Sequence, residues 1–113
     1  MSQITTHILD TASGRPAAGV PIALFVQQGD EWREIGAAHT DQDGRIADLC
    51  APGHSLDGGT YRMHFDTAAY FAASDNATFY PWVDVVFNIA GDGQHYHIPL
   101  LLSPFGYSTY RGS

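Results

Sequence analysis

Short runs in which apolar and polar residues alternate dominate the chain, and Gly, Pro, Asp and Asn separate one run from the next. This pattern predicts β-strands that each bury one face. Residues 20–27 illustrate it, because every second position there is apolar: Val20, Ile22, Leu24 and Val26. The runs predict eight strands, over residues 3–9, 20–27, 32–40, 45–49, 60–65, 81–89, 94–102 and 107–111.

Residues 66–74 break the alternation and predict one short α-helix. The segment is rich in alanine, which has the highest helix propensity, and it opens with Asp66, whose carboxylate can accept hydrogen bonds from the first turn. Many short strands with turn signals and a single small helix favour an all-β fold, an antiparallel β-sandwich. A length of 113 residues fits one domain, which we expect to span residues 1–113.

The charge balance excludes several functions. Twelve acidic residues face five basic ones, all arginine, and the net charge is −7. Such a chain is a poor binder of nucleic acid or anionic membranes, because neutralisation of phosphates provides most of that affinity. The absence of lysine excludes a P-loop and a Schiff-base lysine. No signal peptide and no membrane-spanning apolar run is apparent, so we expect a cytoplasmic protein.

A single cysteine, Cys50, excludes an intrachain disulfide and a cysteine-rich zinc site. Cys50 ends an apolar run. We therefore expect a buried thiol rather than a nucleophile.

Three of the six histidines, in two of the predicted strands, are of chemical interest because of the strand faces they occupy. Side chains of a strand point alternately to its two faces. In residues 94–102 the even-numbered positions from Tyr96 onwards are apolar and predict the core face, so His95 and His97 oppose the core. In residues 3–9, His7 likewise opposes the apolar face. Histidine is the usual proton-transfer side chain near neutral pH, although the sequence does not show that His7 and His97 meet.

Other interpretations of the histidines stay open. A lone strand histidine is usually solvated or hydrogen-bonded, and we assign three to this structural class: His39, His54 and His64. A zinc site is an alternative for His95 and His97, because His-x-His on one strand can supply two ligands. It needs a third ligand, which His7 or an acid could provide.

Arg45 follows Asp41-Gln42-Asp43-Gly44, which predicts a tight turn. One interpretation is an ordinary surface arginine. The motif also resembles half of an EF-hand loop, but the further spaced acid and the closing Glu are missing. The functional interpretation is a fixed guanidinium that binds an anion or a carbonyl oxygen.

The last residues carry a resemblance to a known family. Residues 95–113, His-Tyr-His-Ile-Pro-Leu-Leu-Leu-Ser-Pro-Phe-Gly-Tyr-Ser-Thr-Tyr-Arg-Gly-Ser, resemble the carboxyl-terminal signature of 5-hydroxyisourate hydrolases, a transthyretin-like family. The closing Tyr-Arg-Gly-Ser separates these enzymes from transthyretin, a hormone carrier. Segments 6–10, 14–17, 40–45, 65–71 and 79–81 resemble the family too. Ile98 stands where Val is frequent.

The resemblance implies a transthyretin-like sandwich of two four-stranded sheets with one short helix. It implies a homotetramer whose active sites lie between dimers and are lined by two subunits. The expected reaction opens the six-membered ring of 5-hydroxyisourate and gives 2-oxo-4-hydroxy-4-carboxy-5-ureidoimidazoline, without cofactor or metal. The implied catalytic residues are His7, Arg45 and His97. The implied substrate-binding residues are Tyr110, Arg111, Gly112 and Ser113.

Hydrolysis of a cyclic amide needs a base for water, a group that stabilises the oxyanion, and a proton for the leaving nitrogen. We hypothesise that His97 or His7 is the base, that the other histidine relays or donates the proton, and that Arg45 stabilises the oxyanion and holds the substrate. No covalent intermediate is expected. The rival interpretations are a small-ligand carrier, a structural or carbohydrate-binding module, and a zinc hydrolase.

Overall fold

The computed structural model describes residues 3–50 and 55–112, so His54 and Ser113 lie outside the described residues. The described ranges contain nine strands and one helix. In chain order they are β1 Ile4–Asp10, β2 Arg15–Pro16, β3 Pro21–Gln28, β4 Glu31–His39, β5 Arg45–Ile46, β6 Gly59–Phe65, α1 Thr67–Ala73, β7 Val83–Ile89, β8 Tyr96–Ser103 and β9 Gly106–Thr109.

The strands form two sheets. The first sheet has the order β2-β1-β8-β9, and β5 also pairs with β1. The second sheet has the order β4-β3-β6-β7. Strand β8 pairs with one edge of β1, and the two-residue strands β2 and β5 share the other edge. There β2 pairs with Leu9 and Asp10. Strand β5 pairs with Thr6 and His7.

The predicted β-sandwich with one short helix is confirmed, and two details differ. The pair β1–β8 is parallel rather than antiparallel, from Ile4 opposite Tyr96 to Asp10 opposite Leu102. A parallel pair needs a long crossover, which the chain provides by building the second sheet between these strands. The first sheet has five strands instead of the expected four. The additional strand, Arg15–Pro16, has only two residues, which is too short for an alternating pattern to be visible in the sequence.

One apolar core lies between the sheets and follows the predicted alternation. Every second residue of β1, β6 and β8 is buried, as expected for strands with a single core face. The side chains that are almost fully buried include Ile4, Ile8, Leu24, Met63, Phe65, Phe71, Leu100 and Leu102. Cys50 is buried, which confirms the predicted buried thiol.

Strand β5 ends earlier than predicted, at Ile46 instead of residue 49. Beyond it the backbone runs against β4, where a Cβ placed on Gly36 would collide with the carbonyl oxygen of Leu49. The side chain of Leu49 is buried in the core. The chain therefore leaves the edge of β1 just after Ile46, and of the predicted strand only Arg45 and Ile46 belong to the first sheet.

Helix α1 matches the predicted segment. The carboxylate of Asp66 accepts a hydrogen bond from the amide of Ala69 and so caps the first turn. Phe71 anchors the helix in the core. In the described residues no helix combines the length and hydropathy that crossing a membrane requires.

Tyr70 ties α1 to the end of β1. Its hydroxyl donates a hydrogen bond of 2.7 Å to Oδ2 of Asp10, which is itself buried. Burial, together with this hydrogen bond and the charge of Asp10, raises the pKa of Tyr70 to about 12, so the hydroxyl keeps its proton at neutral pH. The other carboxylate oxygen of Asp10 accepts from the amides of Ala12 and Ser13.

Replacing Tyr70 with Phe should lower the free energy of unfolding by about 1 to 2 kcal/mol, because a buried carboxylate oxygen loses its donor. Urea denaturation at one fixed protein concentration measures this. Tyr107→Phe is the matched control, since the ring of Tyr107 packs edge-on against Tyr80 and keeps that contact without its hydroxyl. Equal stabilities of the two variants would contradict a stabilising role for the Tyr70–Asp10 bond.

Candidate functional site

Strand pairing brings His7, Arg45 and His97 to one surface of the first sheet. His7 lies directly opposite Arg45 in β5, and Thr5 lies directly opposite His97 in β8. Side chains of directly paired residues point to the same face of a sheet. Because the alternating residues of β1 and β8 fill the core, this shared surface is the outer face of the first sheet.

A rigid turn holds Arg45 in position. Oδ1 of Asp41 accepts hydrogen bonds from the amides of Asp43 at 2.9 Å and Arg45 at 3.0 Å. Gly44 has a φ of +72°, and a Cβ there would lie 2.5 Å from the carbonyl oxygen of Ile8. The amide of Ile8 donates to the carbonyl of Gly44 at 2.8 Å. The backbone of Arg45 is therefore fixed on both sides.

The hydroxyl of Thr5 lies between two imidazole rings. Its Oγ1 is 2.8 Å from Nδ1 of His97 and 2.9 Å from Nε2 of His95. The two rings lie nearly parallel, with centroids 6.4 Å apart and an interplanar angle of 20°. A hydroxyl has one proton, so Thr5 can donate to only one of the two rings at a time. This contact fixes the orientation of His97 and leaves Nε2 as the ring nitrogen for chemistry.

The surroundings of His97 favour its neutral form. Burial is the largest cause that lowers the pKa of His97, and the positive charge of Arg45 is the second. His95 and His7 lower this pKa further. Neutral imidazole has a free lone pair, so His97 is suited to accept a proton at neutral pH.

A pocket of about 230 Å³ opens beside these groups. It is smaller than the roughly 300–1,000 Å³ of sites for drug-sized ligands and suits a small molecule. Its lining residues are Thr5, Thr6, Arg45, Ile46, Ala47, His95 and His97. His7 lies beside Arg45 but outside this lining, and it contributes to lowering the pKa of His97.

Gly112 packs directly against His97. Its amide donates to the carbonyl oxygen of His97 at 2.9 Å, and the two residues form an isolated β-bridge. A Cβ on Gly112 would lie 2.6 Å from Cδ2 of the His97 ring and 3.2 Å from the Pro99 side chain. Any larger residue here would push the imidazole from its position.

The neighbours of Gly112 lie differently. The guanidinium of Arg111 stacks over the ring of Tyr96, 4.6 Å from its centroid, and donates to Oε1 of Gln94 at 2.6 Å. Tyr96 belongs to the core face of β8, so the structure does not bring Arg111 together with His97. Tyr110 is exposed, and it lines a second pocket of about 240 Å³ together with Arg111.

The other sequence interpretations can be compared with the geometry. In the ranges 3–50 and 55–112, no group of three His, Cys, Asp or Glu side chains is arranged to hold a metal ion. His39 is exposed on β4 of the second sheet. His64 lies on the same sheet, where Nδ1 is 2.7 Å from Oδ1 of Asp84. Both positions agree with a structural role.

The sequence does not single out Thr5 as functional, and it suggests only a zinc-ligand role for His95. Thr5 shares a face with His7, and His95 shares a face with His97, so alternation placed both on the correct side. Their mutual contact depends on the parallel pairing of β1 with β8, which joins residues about 90 positions apart. No local pattern in the sequence signals that pairing.

Comparisons with known proteins agree with these observations. The model of the HIUase/Transthyretin family matches residues 4–112. A 5-hydroxyisourate hydrolase of Mus musculus is 45% identical over 114 positions, which cover 99% of this chain and 96% of the relative. The structure of Klebsiella pneumoniae 5-hydroxyisourate hydrolase has a TM-score of 0.83 at 36% identity, covering 97% of this chain and 98% of that one.

A sea bream transthyretin, solved in complex with thyroxine, has a TM-score of 0.91 at 34% identity and covers 97% of this chain and 94% of its own. The transthyretin-like fold expected from the sequence is thereby confirmed.

The effect of Arg45 on His97 is measurable without any ligand. Replacing Arg45 with Gln should raise the pKa of His97, because a positive charge that disfavours the imidazolium is removed. An NMR titration of the His97 ring proton in both proteins measures the change. Arg33→Gln, on the second sheet, is the control and should leave this pKa unaltered. An identical His97 pKa in wild type and Arg45→Gln would show that the guanidinium does not act on the ring.

Proposed function

The chain belongs to the HIUase/Transthyretin family, and we propose that it is a hydrolase that opens the six-membered ring of 5-hydroxyisourate in urate breakdown. The observation that carries this proposal is the pocket in which a fixed Arg45 and a neutral His97 share one lining. The product is 2-oxo-4-hydroxy-4-carboxy-5-ureidoimidazoline, formed without cofactor.

His97 acts as the general base in this proposal. Its lowered pKa keeps the imidazole in the neutral form. Because Nδ1 is hydrogen-bonded to the hydroxyl of Thr5, Nε2 is the nitrogen that takes a proton from the attacking water. The water oxygen bonds to the ring carbonyl carbon, and the bond from that carbon to the ring nitrogen then breaks. Because the deprotonated water attacks directly, the reaction needs no acyl-enzyme. The hydroxyls of Thr5 and Thr6, which line the pocket, both take part in hydrogen bonds. The hydroxyl of Thr6 donates to the carbonyl oxygen of Ile98 at 2.6 Å.

Arg45 and His7 complete the reaction. The planar guanidinium of Arg45 can bind the developing oxyanion and orient the planar substrate at the same time. The turn at Asp41 holds its backbone, so little reorganisation is needed when charge develops. His7, directly opposite Arg45, donates the proton that the leaving nitrogen requires.

The carboxyl-terminal residues shape the pocket. Gly112 supports this role most directly, because it contacts the His97 ring. Tyr110 and Arg111 line the separate pocket of about 240 Å³, and their substrate-binding role remains part of the proposal. Ser113 lies outside the described residues and stays a prediction.

A homotetramer completes the proposal. The candidate site lies on the outer face of the first sheet, where Arg45 is exposed, so a second subunit would be needed to shield the guanidinium from water. Exposed aromatic side chains support association, because monomers rarely leave large apolar surfaces uncovered. Phe79 and Tyr107 both pack against the ring of Tyr80, and Phe105 and Tyr110 are exposed as well.

A small-ligand carrier is the second candidate, and the TM-score of the thyroxine-bound sea bream transthyretin favours it. Shared fold does not decide between them, because function depends on the residues of the site. Carriage alone requires neither a base with a lowered pKa nor a fixed guanidinium beside it. The candidate site therefore supports hydrolysis.

The hydrolase proposal is tested by following the ultraviolet absorbance of freshly generated 5-hydroxyisourate with purified protein. Decay should exceed the spontaneous rate, and His97→Asn should lower turnover by about 10² to 10⁴-fold, the usual contribution of a general base. His39→Asn, at an exposed histidine of the second sheet, should keep wild-type turnover.

The activity of the wild-type protein should fall as the pH decreases through the lowered pKa of His97, because protonation removes the base. Decay at only the spontaneous rate with wild-type protein would favour the carrier.

The role of Gly112 gives a separate prediction. Gly112→Ala should lower turnover by at least about tenfold, because the added Cβ displaces the catalytic imidazole and small misplacements are costly. Gly106→Ala is the matched control, since its Cβ would make only an ordinary contact of 3.6 Å with Ser103. Circular dichroism checks that both variants fold. Full activity in folded Gly112→Ala would argue against close packing of this residue on His97.

A further inference from the structure

We propose that Thr5 and His95 form a proton relay that connects the catalytic imidazole of His97 with solvent. The inference rests on the proposed hydrolase function and assigns roles to two residues outside the expected catalytic set. Its geometric basis is the position of Thr5 Oγ1, 2.8 Å from Nδ1 of His97 and 2.9 Å from Nε2 of His95. Both distances are those of good hydrogen bonds.

The single hydroxyl proton couples the two rings. When Nδ1 of His97 carries a proton and donates it to Thr5, Thr5 donates to an unprotonated Nε2 of His95. In the alternative arrangement Nε2 of His95 donates, and Thr5 donates to Nδ1 of His97. The first arrangement leaves Nε2 of His97 free as a base, and the second leaves it protonated. The relay thus sets whether His97 accepts or donates a proton.

The proton transfers balance at every atom. Water gives a proton to Nε2 of His97, so an O–H bond breaks and an N–H bond forms. The proton on Nδ1 of His97 moves to Oγ1 of Thr5, whose own proton moves to Nε2 of His95. His95, now an imidazolium, releases the proton on its Nδ1 to solvent. Reverse transfer along the same atoms lets His97 return a proton to the reaction.

Exposure gives the relay its direction. Thr5 is only 7% exposed, so its hydroxyl is shielded from bulk water. His97 is partly buried, whereas His95 is exposed and can exchange protons with solvent. The path therefore runs from a shielded base, through a shielded hydroxyl, to an exposed imidazole.

The relay moves positive charge away from the guanidinium of Arg45. Within the described ranges, the titratable and charged groups that act on His97 are Arg45 from β5, His7 from β1 and His95 from the residue just before β8. A proton that remained on His97 after attack would place an imidazolium beside the guanidinium of Arg45. Transfer through Thr5 moves that charge to the exposed His95, where water screens it.

The kinetic test compares variants at Thr5 and His95 in the 5-hydroxyisourate assay. Thr5→Val keeps the branched shape but removes the hydroxyl, and we expect kcat to fall by about 10- to 100-fold with little change in KM. Thr5→Ser keeps the hydroxyl and should restore most of kcat. His95→Ala should lose about tenfold in kcat and regain it with added imidazole, which Thr5→Val should not. His39→Ala is the control for imidazole effects.

A second measurement needs no substrate. Nitrogen-15 NMR of the imidazole rings should show His97 protonated at Nδ1 and His95 unprotonated at Nε2 near neutral pH, and Thr5→Val should change both tautomer populations. Tautomers that are identical in wild type and Thr5→Val would overturn the relay.

The two failures are distinguishable. If wild-type protein hydrolyses the substrate while Thr5→Val and His95→Ala keep wild-type kcat, the relay is wrong and the hydrolase stands. If wild-type protein does not accelerate the decay of 5-hydroxyisourate, the proposed function is wrong. The relay then has no catalytic role, even if the tautomers of His95 and His97 depend on Thr5.

Discussion

In the parallel pairing of β1 with β8, each strand buries one side and presents the other outward. The core side of this pair carries Ile8 opposite Leu100, and the outer side carries Thr5 opposite His97. One register thus fixes the core and the candidate site together, because a slip of one residue would exchange the two faces. The outer edge of β1 then takes β5, which adds Arg45 beside His7.

Alternation in the sequence predicted most of this arrangement. It predicted the core faces of β1 and β8 and the outward faces of His7 and His97, while the alanine-rich segment after Asp66 predicted α1. These features depend on residues a few positions apart, so their physical causes are visible locally.

Other features depend on distant residues and were not predictable from local patterns. The parallel direction of β1 and β8 joins the two ends of the chain, and β2 and β5 exist only because β1 has a free edge. For the same reason the contacts of Thr5 with His95 and His97 were not foreseen. The role of the Tyr-Arg-Gly-Ser end, the homotetramer and the cytoplasmic location remain predictions.

The turn before Arg45 has a consequence for how the gene can change. Because side chains of β5 alternate between core and outer face, inserting or deleting one codon between Asp41 and Arg45 would exchange the roles of Arg45 and the buried Ile46. A one-residue change in the length of this turn would therefore remove the guanidinium of Arg45 from the site and the side chain of Ile46 from the core. The exposed turn at Gly29 and Asp30 joins two strands of the second sheet, so length variation during evolution should accumulate there rather than at residues 41–45.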